Sequence, residues 1–312
     1  MAIFCVFLIL AIVKIDIKWY NQYIINKLRS FIAMAKLIQY CTEGSMLQGE
    51  FKWQAAGMGY VILTDNGKLS VIDGGHRADA KPLVELVKEV SGDDIPTVDL
   101  WIITHPHGDH FGALAEISEN EALLRAIKVK ELCFKNPEEF YWGKPDNRRS
   151  LDRELNAMKE LASRLGAVHH IPETGENITL DTVKIKFYYV TDPADEPSDP
   201  NELSLVFSVE GANKKVMFTG DAYKKTLLKA LERYGDELKS DAVQLAHHAL
   251  NGGSTEFYRA VDAKIAFVPI SEPGDLSMKE EKHIECNRHN RFAAENADVL
   301  YKAYNGNAEI EI

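Results

Sequence analysis

From Met46 onward, short apolar runs alternate with longer stretches in which apolar residues recur every three or four positions, and clusters of Gly, Asp and Asn separate them. The short runs fit buried strands and the longer ones fit amphipathic helices, so the pattern predicts a layered α/β domain. Early strands are expected over Leu47–Trp53, Tyr60–Thr64 and Leu69–Ile72, with Asp65-Asn66-Gly67 as the hairpin turn between the last two. Lys81–Val90 reads as a helix, Val98–Thr104 as a buried strand and His110–Ile117 as the helix that follows. Past a helix over Leu151–Leu165, strands are expected at Val183–Val190, Ser204–Val209, Lys215–Thr219, Ala242–Ala246 and Ile265–Pro269. Helices are expected at Lys224–Tyr234 and Ser254–Val261, and short strands at Val299–Tyr301 and Ala308–Ile312. The result is two β-rich halves with helices outside each. Pro137–Arg149, rich in Pro, aromatic residues and charge, is expected to be a surface loop that overhangs a site.

Composition adds boundaries. A chain of 312 residues that is 46% apolar can bury a full core, and we read one domain over residues 46–312 behind an N-terminal extension over residues 1–45. Met1–Val13 is almost wholly apolar, but about 13 residues at 1.5 Å rise reach about 20 Å, short of a hydrocarbon core of about 30 Å. No basic region precedes the run, since Lys14, Lys18, Lys27 and Arg29 all follow it, which argues against a cleaved secretory signal. A membrane-associating helix, a helix packed on the domain, and an upstream extension ahead of a start at Met34 all fit. The expected location is the cytoplasm, with weak membrane association through residues 1–13 as the alternative. A formal net charge of −11 disfavours broad binding to nucleic acid, which draws its affinity from Lys and Arg on phosphates, although a local basic rim is compatible with it. Cys5, Cys41, Cys133 and Cys286 form no C-x-x-C pair, so ordinary reduced thiols are expected.

The chemistry concentrates in Thr104-His105-Pro106-His107-Gly108-Asp109-His110, between a buried strand and a helix. Three imidazoles and a carboxylate in six positions are too many for satisfied core residues. A strand-end loop holds such ligands rigidly and leaves one side open, and zinc accepts imidazole nitrogen and carboxylate oxygen. The plain alternative is a solvated His-rich loop. Three further marks follow this order along the chain: Val71-Ile72-Asp73-Gly74-Gly75 before the motif, and Phe218-Thr219-Gly220-Asp221 and Ala246-His247-His248 after it.

With these marks the chain resembles the metallo-β-lactamase superfamily from Met46 to its C-terminus. The resemblance implies a four-layer αββα sandwich. Within the superfamily it is most similar to the branch of DNA-uptake competence hydrolase domains and phosphorylcholine esterases, on the His-His pair, the run Asn201-Glu202-Leu203-Ser204-Leu205-Val206, and Gly57-Met58-Gly59. Where that branch usually has His-His-Gly-Ser, this chain has His247-His248-Ala249-Leu250, followed by Asn251-Gly252-Gly253-Ser254. The departure bears on loop conformation and substrate contacts.

Carried over by position, the resemblance implies that His105 and His107 hold one divalent metal ion, that Asp109, His110 and His247 hold a second, and that Asp221 bridges them. Zinc is the expected metal, with manganese as the alternative. A carboxylate can join cations about 3.5 to 4 Å apart, and a water shared between them becomes hydroxide near neutral pH. A usual member has one more histidine on the first metal. Here Thr191-Asp192-Pro193 and an acidic loop to Asn201 stand in its place. His169 and His170 lie upstream of that place, so Asn201 is the better candidate, as ligand or in support. His248 either donates a proton to the leaving group or lines the wall, and it is carried with Asp109 as a catalytic candidate. His289, in Asn287-Arg288-His289-Asn290, is a candidate substrate contact or an exposed loop residue. Asp73 is expected to hydrogen-bond metal ligands rather than to be one.

The leading function is metal-dependent hydrolysis of a phosphoester, above all a phosphodiester. The alternatives are a carbonyl hydrolase (lactonase, thioesterase or β-lactamase-like) and a metal-binding member without catalysis. A small-molecule or other phosphoester substrate is the expected partner. A di-iron redox enzyme is disfavoured by His107, where such members typically have glutamate.

Overall fold

The computed structural model describes residues 34–46, 56–136, 148–197, 199–277, 280 and 283–312, with backbone alone for 148–156. The strand expected over Leu47–Trp53, the apolar run 1–13 and the first part of the loop expected over Pro137–Arg149 lie outside the described residues.

Two mixed sheets face each other. The first contains β1 (Lys36–Gln39), β2 (Gly59–Leu63), β3 (Leu69–Asp73), β4 (Thr97–Ile102), β5 (Lys128–Val129), β6 (Glu131–Cys133), β7 (Val168–His170) and β15 (Ala308–Glu311). Its order is β15-β1-β2-β3-β4-β6-β7, with β5 also on β4; pairing is antiparallel from β15 to β3 and parallel from β3 to β7. The second contains β8 (Asn177–Leu180), β9 (Val183–Tyr189), β10 (Val206–Glu210), β11 (Lys215–Phe218), β12 (Ala242–Gln244), β13 (Ile265–Val268) and β14 (Val299–Lys302), in the order β14-β13-β12-β11-β10-β9-β8.

Alternation along the strands explains the layering, because successive side chains point to opposite faces. In β2, Tyr60 and Ile62 enter the core between the sheets, while Val61 faces the layer of helices α1 (Ala80–Ser91), α2 (Gly108–Glu119), α3 (Glu121–Ala126) and α4 (Arg148–Leu165). In β11, Val216 and Phe218 face inward, and Met217 faces the outer helices α5 (Lys224–Tyr234), α6 (Thr255–Val261) and α8 (Arg288–Asn296). A short helix, α7 (Glu272–Ser277), follows β13. Three apolar clusters therefore fill the three interfaces of an αββα sandwich. Tyr60 pins the two sheets together, its ring edge-on to Phe218 at 5.0 Å and to Phe267 at 5.7 Å.

Two boundaries differ from the sequence reading. The compact unit runs from Ala35 to Ile312, and β1 sits between β15 and β2, so the domain starts ahead of the expected residue 46. Four apolar or amphiphilic residues, Lys-Leu-Ile-Gln, do not stand out as a strand until two neighbours supply their hydrogen bonds. Arg148 and Arg149, placed in a loop, open α4. Among the described residues, no helix is long and apolar enough to cross a membrane.

The inter-sheet core should dominate stability. Phe207, fully buried and stacked on Phe218 at 5.2 Å, should cost about 3–5 kcal/mol when changed to alanine, as read from the urea midpoint at unchanged slope.

Candidate metal centre

The site lies where strands of both sheets end. β4 runs into the His105–His110 loop, β11 into the Thr219-Gly220-Asp221 turn, and β12 into the His247-His248 turn. A backbone bond from Leu205 N to Thr104 O, 3.0 Å, ties the start of β10 to the His loop across the two sheets.

Asp73, at the end of β3, organises the first half. It is fully buried with φ +54, a left-handed backbone that costs a non-glycine residue about 1–3 kcal/mol. Its carboxylate accepts from Thr104 N, Thr104 Oγ1 and His110 Nδ1, each at 2.8 Å, and its carbonyl accepts from Trp101 Nε1 at 2.7 Å. Behind it, Met58 N donates to Asp109 O at 3.0 Å, and Gly74 N donates to Met58 O at 2.9 Å. That bridge requires close backbones: a Cβ on Gly57 would sit 2.7 Å from Gly75 Cα.

The side chains form two trios whose ligand atoms lie within 4.8 Å of one another: His105, His107 and Asp221, and Asp109, His110 and His248. Asp221 stands between them, with Oδ2 3.7 Å from His105 Nε2 and Oδ1 3.4 Å from His110 Nε2. His248 Nδ1 is 2.8 Å from Pro269 O, and His110 Nδ1 is anchored on Asp73. Both anchors accept only, so both Nδ1 atoms carry the proton and both Nε2 atoms present lone pairs in the neutral form. These two Nε2 atoms face each other at 3.3 Å, with Asp109 Oδ2 3.1 Å from that of His248. Two facing lone pairs among carboxylates call for a positive charge between them. The donor set, imidazole nitrogen and carboxylate oxygen with a second hydrogen bond behind each of these histidines, fits a divalent metal ion.

Electrostatics agree. Burial opposes a charge on His110, yet Asp221, Asp73 and Asp109 hold its imidazolium well above the ordinary range. His248 is likewise raised against burial by Asp221 and Asp109. Burial, and then the charge on His110, push His105 well down. Burial would raise Asp109 and Asp221, but His110 and His248 hold both below the usual carboxylate range.

The comparisons with known proteins point the same way. The family model described as the metallo-beta-lactamase superfamily matches residues 56–189. ComE operon protein 3 of Bacillus subtilis (strain 168) is 24% identical over 232 residues, 73% of this chain; the chain spans 27% of that relative's length. The metallo-beta-lactamase fold protein YhfI from Bacillus subtilis superposes with a TM-score of 0.52 at 10% identity, covering 88% of this chain and 100% of that one. Zn(2+)-bound PqqB from Methylobacterium extorquens does so with a TM-score of 0.50 at 10% identity, covering 89% and 100%. The chain has the metallo-β-lactamase fold.

The arrangement departs from the sequence reading at the late histidines. His248, not His247, completes the trio with Asp109 and His110. His247, His248 and Ala249 all have left-handed backbones, with φ +51, +52 and +59, and this turn exchanges the directions expected of the two rings. His247 belongs to neither trio. Its Nε2 is 3.8 Å from Asp221 Oδ2, its Nδ1 is buried without a hydrogen-bond partner, and its ring lies edge-on to Tyr223 at 5.5 Å. Burial holds it below the ordinary histidine range.

His289 also stands elsewhere. It lies on α8, with Nδ1 3.1 Å from Thr255 N and 2.8 Å from Thr255 Oγ1, capping α6. The buried residue beside it, Asn290, bonds the histidine turn instead. Its sequence neighbourhood looks like a polar loop, and only the packing of α8 reveals it. Asn201 is buried; Nδ2 donates to Tyr223 Oη at 2.8 Å and Oδ1 has no hydrogen-bond partner. His169 stacks on Phe134 at 3.9 Å, and His170 lies between Glu131 and Glu176 at 2.9 and 2.7 Å on β7. Neither is in a trio.

A cleft of about 980 Å³ opens from His107 and Asp109 along α2, past His76 and Arg77 to Arg164. It gives the trios an open side.

Two outcomes follow from this geometry. Because His110 and His248 are held toward their charged forms, zinc loading of metal-free protein at neutral pH should release protons, and affinity should fall as pH falls; calorimetry in buffers of different ionisation enthalpy reads both. Loading without proton release contradicts the assignment. His169→Ala and His170→Ala should each leave zinc affinity within about two-fold of the parent, whereas Asp73→Asn should lower it about 10- to 100-fold, as measured against a chromophoric chelator.

Proposed function

We propose that this chain is a hydrolase that uses two divalent metal ions, zinc above manganese, to cleave a phosphoester, and a phosphodiester above others. The observation that carries the reading is the pair of Nε2 atoms on His110 and His248, facing each other at 3.3 Å beside Asp109, with each ring anchored through Nδ1 on an acceptor behind it. When bound, a pair of such cations supplies Lewis acidity and an activated water at neutral pH.

The chain's own residues do the rest. His105, His107 and Asp221 make one seat, and Asp109, His110 and His248 the other. Asp73 fixes the tautomer and ring orientation of His110, and the carbonyl of Pro269 does the same for His248. Buried walls on the inner side leave the cleft along α2 as the approach for substrate. Arg77 stands in it against Glu116 and Glu119, and Arg164 against Glu119 and Glu160, so a phosphate reaches these guanidinium groups only in competition with carboxylates. The substrate class rests on the resemblance to competence hydrolase domains and phosphorylcholine esterases, and the choice of zinc gains support from Zn(2+)-bound PqqB. An enzyme for a small phosphoester suits the net charge of −11 better than one for long nucleic acid.

Bis-p-nitrophenyl phosphate, a lactone and a cephalosporin separate this reading from its carbonyl alternatives. Hydrolysis of the phosphodiester should exceed that of the other two, vanish with chelator, return with zinc or manganese, and fall to background in Asp109→Ala. Preferred hydrolysis of the lactone or cephalosporin transfers the assignment to carbonyl chemistry. No turnover of any of the three, with metal bound, supports a metal-binding member without catalysis.

A further inference from the structure

The turn that carries His248 is the most strained segment near the trios, and its own bonds do not explain its shape. Three consecutive non-glycine residues, His247, His248 and Ala249, hold left-handed backbones, a conformation that L-residues adopt singly rather than in runs. Within the turn, Ala249 N donates to Ala246 O at 3.0 Å and Leu250 N to His247 O at 2.8 Å. Something outside must hold the ends, Ala246 and Leu250, at this spacing.

Asn290 does so. It is fully buried. Its Nδ2 donates to Ala246 O at 2.9 Å and to Leu250 O at 2.7 Å, and lies 3.3 Å from Gly252 O. Its Oδ1 accepts from Tyr258 Oη at 2.6 Å, and that hydroxyl in turn accepts from Ala246 N at 3.0 Å. Both backbone groups of Ala246 and the carbonyl of Leu250 are thus fastened to one amide and one phenol, supplied by α8 and α6. The donor count fixes the amide's orientation, because three carbonyls need Nδ2 and a hydroxyl hydrogen needs Oδ1. Gly253 passes directly over the pair, where a Cβ would meet Tyr258 Oη at 2.9 Å.

We propose that Asn290, completed by Tyr258, is the positioning residue for His248: it holds the left-handed turn that brings His248 Nε2 to Asp109 and His110, and so sets the affinity of that trio for a divalent cation. The inference rests on the two-metal reading above. A polar side chain that bonds the two carbonyls at the ends of a strained turn acts on the ligand as the outer hydrogen bonds of metal sites act on theirs, by fixing orientation rather than by touching the metal.

Zinc titration of metal-free protein against a chromophoric chelator tests this with the parent, Asn290→Ala, Tyr258→Phe, Asn290→Ala with Ala249→Gly, and His289→Ala. The parent should bind two zinc ions, and fewer than two would overturn the two-metal reading itself rather than this inference alone. Asn290→Ala and Tyr258→Phe should weaken one binding step by about 10-fold or more and leave the other within about two-fold, with far-UV circular dichroism unchanged. Ala249→Gly, which relieves a left-handed alanine, should recover part of that loss. His289→Ala, a change at the neighbouring position on α8, should leave both steps alone. If Asn290→Ala does not fold, Tyr258→Phe decides, since it removes two hydrogen bonds and keeps the ring. Unchanged zinc steps in folded Tyr258→Phe and Asn290→Ala, or an equal fall in both steps, overturn the proposal; absence of recovery with Ala249→Gly overturns the claim that Asn290 acts by holding strained backbone.

Discussion

The buried carboxylate of Asp73 is the contact on which the site depends. A carboxylate with no water around it must find donors inside the protein, and Asp73 finds Thr104 N, Thr104 Oγ1 and His110 Nδ1. Those three bonds fasten the end of β3 to the loop after β4 and to the first turn of α2. They also decide which nitrogen of His110 is free. Without them the His105–His110 loop keeps its backbone bonds, including that from Met58 N to Asp109 O, and has little to fix the His110 ring.

The second half of the site is built differently. Asp221 follows a glycine turn with φ +51 and is positioned by Ser204 Oγ, which accepts from Asp221 N at 2.9 Å. His248 is positioned by the carbonyl of Pro269 on one side and by the fastening of its turn on the other. The two halves come from different sheets, and the inter-sheet core around Tyr60, Phe218 and Phe267 keeps them in register. Each trio draws residues from both sheets, so close packing of that core makes the closure of each trio a property of the whole sandwich rather than of any one loop.

Much of this was legible along the chain. Short apolar runs marked the long central strands, and the 3.6-residue period gave the amphipathic stretch Lys224–Tyr234 its observed bounds. The density of ligand side chains in His105–His110 marked the first half of the site, because no core accommodates so many polar groups at that spacing. Short or two-faced elements were not legible: β5, β6 and β7 have two or three residues each, too few for a period to show.

Sequence by itself determined the layered α/β architecture and singled out the His105–His110 run, since these follow from local pattern and residue chemistry, while Asp221 came from the resemblance. Tertiary structure alone decided which member of the His247-His248 pair meets Asp109, that His289 caps a helix while Asn290 fastens the turn, and that the domain begins with a strand near Lys36. The physical reason is common to all three. Adjacent residues differ in direction by a backbone rotation that neither side chain encodes, and here hydrogen bonds from distant elements, α6, α8 and the strand β15, select that rotation or complete the strand.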